Sequence, residues 1–286
     1  MSFFRYPGGK RKLSKTIVKK LNTIAGNKKV EYREPFFGGG SVGLCFLQHN
    51  PNIERIWIND FNQGISSLWT SVINYPNLLC NQILNFTPSL EDFYNFKQYL
   101  TDIAPALDTP EKIANYGFRK LAIHQISYSG LGTKSGGPLG GKDQTSQYKI
   151  DCRWSPNTII KKINALNSKL SKIEIRDKCC TSHDFSKLIE DSKHPAIIYL
   201  DPPYYDKGSE LYQDGFKEED HIRLSECLKN SKHSWLLSYD DCPAIRKLYD
   251  WANIEDVNVN YSITAAINKE TGEPESRTKP ELLISK

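Results

Sequence analysis

Leu13, Ile17 and Leu21 recur at every fourth position among lysines, so Lys10–Asn22 reads as a basic amphipathic helix. A strand is expected over Val30–Phe37, running into Gly38-Gly39-Gly40. A helix follows over Ser41–Gln48, apolar at Val42, Leu44, Phe46 and Leu47. Ile53–Ile58 is a second short apolar run, ending at Asn59-Asp60, and Gln63–Ile73 reads as the next helix. From about Tyr75 to Pro195 the rhythm changes. Tyr75-Pro76, Thr87-Pro88, Ala104-Pro105 and Thr109-Pro110 cut this stretch into short helices. Ser127–Gly141 is glycine-rich without a helical period, a long loop of the kind that is functional or disordered. Asn157–Leu170 is helical again.

After Pro195 strands and helices alternate. Ala196–Leu200 reads as a buried strand, Glu218–Lys229 as a helix, Trp235–Ser238 as a strand and Pro243–Trp251 as a helix. Val257–Ile263 and Glu281–Ser285 are the closing strands. This alternation predicts an α/β fold with a mainly parallel sheet. The expected organisation is a discontinuous catalytic domain, residues 1–75 and 195–286, interrupted by a helical, loop-rich insert over 76–194.

The 286 residues, 38% hydrophobic and 25% charged, suffice for a core without disulfides or a structural metal. Apolar runs such as Ala196–Leu200 are too short to span a bilayer, and the N-terminus lacks the apolar stretch of a signal peptide. Seven cysteines without a CxxC pair suggest free thiols in a reducing cytoplasm. The net charge of +5 hides a segregation. Residues 1–33 carry ten Lys/Arg against one acid, and residues 112–178 carry 13 against four, so the remainder is strongly acidic. Two basic segments with interleaved aromatics point to a polyanion, and to nucleic acid in particular.

Phe36-Phe37-Gly38-Gly39-Gly40 sits between a strand and a helix, where glycines let the backbone approach a ligand. Asp60, at the end of the next strand, is where doubly wound folds hold the ribose hydroxyls of a nucleoside cofactor. Glycine loop and acid leave NAD and S-adenosylmethionine both open, since Gly38, Gly40 and Gly43 also fit a Gly-x-Gly-x-x-Gly reading. Asp201-Pro202-Pro203-Tyr204 decides between them. Methylating an exocyclic amine requires acceptors for both of its N–H hydrogens, because its lone pair is delocalised into the ring. The Asp201 carboxylate can take one and the Pro202 carbonyl the other, with Pro203 stiffening the backbone. Tyr204 offers a face on which an extruded base can stack. Cytosine-N4 methylation, an RNA substrate and a non-catalytic binding module on the same fold stay as rivals. Cytosine-C5 chemistry needs a thiolate that this motif lacks, and no hydride-handling site supports a dehydrogenase.

These motifs, in this order, resemble the Dam-type, DpnII-like (D12 class) adenine-N6 DNA methyltransferases. The resemblance runs through Tyr6-Pro7-Gly8-Gly9-Lys10, Glu34 through Val42, Asn59-Asp60 and Asp201 through Tyr204. It ends with Tyr261-Ser262-Ile263 and Arg277 through Ile284. It implies a Rossmann-like S-adenosylmethionine-dependent methyltransferase sheet in which residues 76–194 recognise the target. Tyr6, Lys10, Phe36, Gly38, Asp60 and Asp201 would bind S-adenosyl-L-methionine, with Lys10 near its carboxylate. Asp201, Pro202, Pro203 and Tyr204 would be catalytic. His124-Gln125-Ile126-Ser127-Tyr128-Ser129-Gly130-Leu131 is similar to the family's Asn-Arg-x-x-Tyr/Phe-Asn-Gly-Leu segment, so Tyr128, Ser129 and Lys134 would face DNA. His124-Gln125 and Ser129 depart from that pattern. Double-stranded DNA is the implied partner, with no membrane and no obligate protein partner, in a bacterial or phage-encoded cytoplasmic enzyme. Cys179, Cys180 and His183 make a poor chelate, so no metal is expected. His221 and His233 read as structural or exposed, and Asp240-Asp241 as an acidic turn.

Overall fold

Seven strands form one sheet in the computed structural model, which describes residues 3–102, 105–177, 182–205, 215–260 and 278–286. They are β1 (Val30–Glu34), β2 (Ile53–Ile58), β3 (Glu174–Ile175), β4 (Ala196–Leu200), β5 (Ser234–Asp240), β6 (Asn253–Asn260) and β7 (Thr278–Ser285). Their order is β3-β2-β1-β4-β5-β7-β6. β1 to β5 pair in parallel, whereas β7 is antiparallel to both β5 and β6. The chain leaves β1 toward one edge and returns to β4 toward the other. The carboxyl ends of β1 and β4 therefore flank the crevice where open α/β sheets bind ligands.

Helices α1 (Ser14–Ala25) and α2 (Ser41–His49) cover one face of the sheet, and α8 (Phe185–Glu190), α9 (Glu218–Asn230) and α10 (Pro243–Leu248) the other. β4 is buried on both faces: Ile197 and Tyr199 join the α1–α2 core, Ile198 and Leu200 the α8–α10 core. That explains its unbroken apolar run. Leu13, Ile17 and Leu21 are all buried, as their spacing predicts. The first helix begins at Ser14 rather than Lys10; residues 11–13 form a turn, and Ser14 Oγ donates to the Arg11 carbonyl (2.9 Å). β1 ends at Glu34, short of Phe37, since Pro35 has no N–H to continue the ladder. Tyr261-Ser262-Ile263 and Arg277 lie outside the described residues.

Helices α3 (Gln63–Asn74), α4 (Pro76–Leu84), α5 (Leu90–Asp102), α6 (Pro110–Ile126) and α7 (Pro156–Leu170) build a third core, joined by Phe3, Phe4, Phe37 and Leu44. α6 lies directly on α3: a Cβ at Gly117 would stand 2.7 Å from backbone atoms of Leu68. β3 and α8 fall within 76–194 but belong to the sheet layers. β3 pairs with β2 through Arg55↔Glu174 and Ile56↔Ile175, and α8 packs against β4 and β5.

The fully buried Arg33 ties β1 to the segment after α8. It donates to Glu31 Oε1 (2.6 Å), to the carbonyls of Leu188 and Asp191 (both 2.7 Å) and to that of His194 (3.2 Å). Arg176 closes the network onto Glu31 (2.8 Å) and Asp191 (2.9 Å). These hydrogen bonds to Arg176 hold the Asp191 carboxyl down at about 2. Among the described residues no helix is long and apolar enough to cross a membrane.

Candidate active site

The exits of β1 and β2 are stitched together where the glycine loop begins. Phe37 N donates to the Asn59 carbonyl (2.8 Å) and Asn59 N to that of Glu34 (3.0 Å). Asp60 is held on both oxygens, by Gly38 N (2.8 Å) and by Asn62 N (3.0 Å). A carboxylate oxygen retains a second lone pair in such an arrangement, so Asp60 can still accept from hydroxyls. Gly38 has a φ of 46°, and a Cβ there would sit 2.7 Å from the Tyr6 ring. Only glycine lets the loop turn this close to Tyr6. Glu34 lies buried beneath the loop, accepting from Tyr32 Oη (2.6 Å). Burial, reinforced by the negative charge of Asp201, pushes its acid well above the usual carboxylate range.

A cleft of about 300 Å³ opens over these residues. Tyr6, Phe36, Gly38, Asp60, Asp201, Pro203 and Lys134, all singled out from sequence, line it together. Further residues not singled out from sequence also line it. Phe36 meets Phe216 edge-on at 5.5 Å and Phe185 at 5.9 Å, giving one wall three aromatic rings. Asp184 caps α8 by accepting from Ser186 N (3.0 Å) and is gripped by both Arg223 Nη atoms at 2.8 Å. The sequence reading singled out neither Asp184 nor Phe185; their place beside the cleft depends on β3 and β4 being neighbours of β2 and β1.

Asp201 emerges from β4 with its Oδ1 doubly bound. Lys10 Nζ lies 2.7 Å away, and Ser238 Oγ donates at 3.0 Å. Ser238 commits its one proton there, so Tyr199 Oη, 2.9 Å off, donates to Ser238. Among the described residues Oδ2 of Asp201 has no hydrogen-bond partner, and neither does the carbonyl of Pro202. The resemblance puts Lys10 near a cofactor carboxylate; in the structure its ammonium stands beside the carboxylates of Asp201 and Glu281. Its ammonium also donates to Tyr204 Oη (2.5 Å), which in turn donates to Glu281 Oε1 (3.0 Å). Tyr204 is thus tied to the lysine that also holds Asp201, with Lys10 Nζ 4.5 Å from its ring centre.

The loop after α6 is folded back on itself. Ser127 bridges to Pro138, Tyr128 N donates to the Gly137 carbonyl (3.0 Å), and Leu139 N to that of Ile126 (2.7 Å). Tyr128 is 63% exposed, which excludes a core role for it. Ser129 takes a left-handed φ of 55°, and Lys134 lies exposed beside the cleft. His124 anchors the loop from within, its Nδ1 donating to the Gly130 carbonyl (2.8 Å) and fixing the first turn. Burial and the neighbouring Lys120 lower the imidazole to about 3, so it is neutral.

His183 exchanges backbone hydrogen bonds with the Asn59 side chain and contacts Asp177. Cys179 and Cys180 lie outside the described residues, and no three His, Cys, Asp or Glu among those described converge on a metal. His221 is buried against Tyr239 Oη, and His233 bonds the Asp191 carbonyl (2.7 Å); both are structural. Asp240 accepts from Tyr205 N (3.1 Å), and Asp241 pairs with Arg246 (2.6 Å).

The sheet order, the crevice between β1 and β4 and the two carboxylates at its mouth define a protein with the fold of S-adenosylmethionine-dependent methyltransferases. Residues 6–263 match the family model of D12 class N6 adenine-specific DNA methyltransferases, and the chain belongs to that family. It is a site-specific, adenine-directed DNA methyltransferase. It is similar, at 24% identity, to the Type II methyltransferase M1.LlaDCHI of Lactococcus lactis subsp. cremoris, over 89% of this chain and 86% of that protein. It is equally similar to the Type II methyltransferase M.MjaIII of Methanocaldococcus jannaschii, at 24% over 89% and 90%.

Proposed function

We propose that this chain binds S-adenosyl-L-methionine and duplex DNA together, and methylates N6 of an adenine extruded from the helix. Its likeness to two Type II methyltransferases supports a place in DNA restriction-modification. The observation that carries the reading is that one cleft joins the Asp60–Gly38 acceptor to Asp201 and the aromatic wall of Phe36, Phe185 and Phe216. The fit is chemical: Asp60 suits ribose hydroxyls and the rings suit a purine face. Phe36, Gly38, Asp60 and Tyr6 would hold the cofactor, which supplies a sulfonium methyl to the target nitrogen without a covalent enzyme intermediate. Asp201 Oδ2 and the Pro202 carbonyl would accept hydrogen bonds from the two N–H groups of the target amine, directing its lone pair at the methyl; as the N–C bond forms and the sulfonium leaves as a neutral thioether, one proton departs from nitrogen through Asp201 to solvent. Tyr204 stacks on the extruded base, and Tyr128, Ser129 and Lys134 meet the DNA beside it. Target recognition would fall to the insert over 76–194, of which β3 and α8 join the sheet layers. Free thiols at Cys45, Cys80, Cys152, Cys227 and Cys242 suit the cytoplasm.

Incubating the protein with unmethylated DNA and methyl-labelled S-adenosylmethionine, then digesting to nucleosides, tests this reading. Label is expected in N6-methyladenine and is expected to vanish in Asp201→Ala, while that variant keeps its circular dichroism spectrum. Label in N4-methylcytosine, or in RNA alone, would overturn the choice of substrate.

A further inference from the structure

Glu281 is a buried carboxylate on β7, directly opposite Asp240 in the β5–β7 ladder. Neither the sequence motifs nor the family assignment gives it a role. We propose that Glu281 is a positioning residue for methyl transfer: through Lys10 and Tyr204 it fixes the Asp201 carboxylate and the stacking face. The inference rests on the reading of Asp201 and Tyr204 given above.

Asp201 hangs from the end of a strand, and its carboxylate can rotate about the Cβ–Cγ bond. Lys10 and Ser238 both donate to Oδ1, which orients the group and leaves Oδ2 as the oxygen without a donor among the described residues. Lys10 is thereby placed as one of the two pins. Its side chain is 4% exposed and that of Glu281 3%, so water does little to weaken their attraction. Lys10 Nζ lies 3.9 Å from Glu281 Oε2, and the two are also joined through the phenol: Lys10 donates to Tyr204 Oη, which donates to Glu281 Oε1. One anion on β7 thus holds both the cation that pins Asp201 and the hydroxyl that anchors the far end of the Tyr204 ring. A buried anion that only neutralised Lys10 would not need the phenol between them.

A double-mutant cycle tests this on the full chain. Glu281→Gln keeps the shape and removes the charge; Tyr204→Phe keeps the ring and removes the link. At saturating cofactor and DNA, each is expected to lower the single-turnover rate of N6-methyladenine formation, Glu281→Gln by roughly ten- to a hundredfold. The Kd for S-adenosylmethionine, measured calorimetrically, should stay within about twofold in both, since neither residue lines the cleft. The losses should not multiply in the double variant, because both changes cut one chain. Glu281→Asp should recover part of the rate. An unchanged rate in Glu281→Gln overturns the proposal, and so do independent losses in the double variant. A rate loss matched by weaker cofactor binding, with Asp no better than Gln, overturns it in favour of a merely structural role. Wild-type protein that forms no N6-methyladenine would bring down the proposed function itself, whereas wild-type activity with an additive cycle removes only the role of Glu281.

Discussion

His124 shows how one substitution in a motif can be offset by a different bond. With Nδ1–H committed to the Gly130 carbonyl, the buried ring stays neutral down to about pH 3, whereas an unfolded histidine titrates near 6.5. Between those values the unfolded chain takes up a proton that the folded one refuses. Stability from this group is therefore present above about 6.5 and declines as the pH falls toward 3. Thermal melts from pH 7 to pH 4 should lose midpoint temperature more steeply in the wild type than in His124→Asn. Gly38 makes a second case. Gly38→Ala places a methyl group at 2.7 Å from the Tyr6 ring with a φ of 46°, so calorimetry should find S-adenosylmethionine affinity lost or severely weakened. Sequence alone marked Gly38, Asp60 and Asp201, because their chemistry is legible in residue type and order. It could not mark Ser238, Glu281 or Phe185 as partners of the site, since each reaches it only through strand neighbours distant in the chain.

At the scale of elements, the long periodic segments were readable within a few residues of their ends, as for Gln63–Asn74 and Ala196–Leu200. β3 was not, because two residues carry no alternation, and α8 is too short to show a period. The network around Arg33 is what binds these unannounced pieces to β1. Arg33→Ala leaves Glu31 with one cation fewer in a buried site and takes a donor from the carbonyls of Leu188, Asp191 and His194, of which Asp191 keeps His233. The expected loss is about 3–5 kcal/mol, read from denaturant unfolding. The 126–139 hairpin should behave in the opposite way. Tyr128 is exposed, so Tyr128→Ala should change stability by no more than about 0.5 kcal/mol. It should weaken DNA binding or base extrusion, measured by fluorescence anisotropy and 2-aminopurine emission.

For the whole molecule, the charge pattern governs encounter with DNA. The first 33 residues and the stretch 112–178 hold 23 of the 38 basic residues, and they contribute α1, most of α6, the hairpin and α7. Affinity for DNA should fall about tenfold or more between 50 and 200 mM salt, as counterion release requires, while cofactor affinity changes little. Anisotropy titrations across that range check both. The sequence changes rhythm near residue 75, where a catalytic body was expected to give way to an insert. A seam between the two is not legible in the sequence, because α3 shares one core with α4 to α7 and meets α6 backbone to backbone at Gly117.

The antiparallel β7 has a consequence for how the enzyme comes into being. It slots between β5 and β6 and brings Glu281 to Lys10, a residue from near the other end of the chain. Such a contact closes almost the longest loop the polypeptide can make, and its chain-entropy cost must be met before the contact gives anything back, so it is expected to form late. A chain that has already collapsed around β1, β2 and β4 therefore still lacks the anion that orders Asp201 and Tyr204. Competence to mark DNA arrives with the last strand, so partly folded molecules are silent rather than indiscriminate.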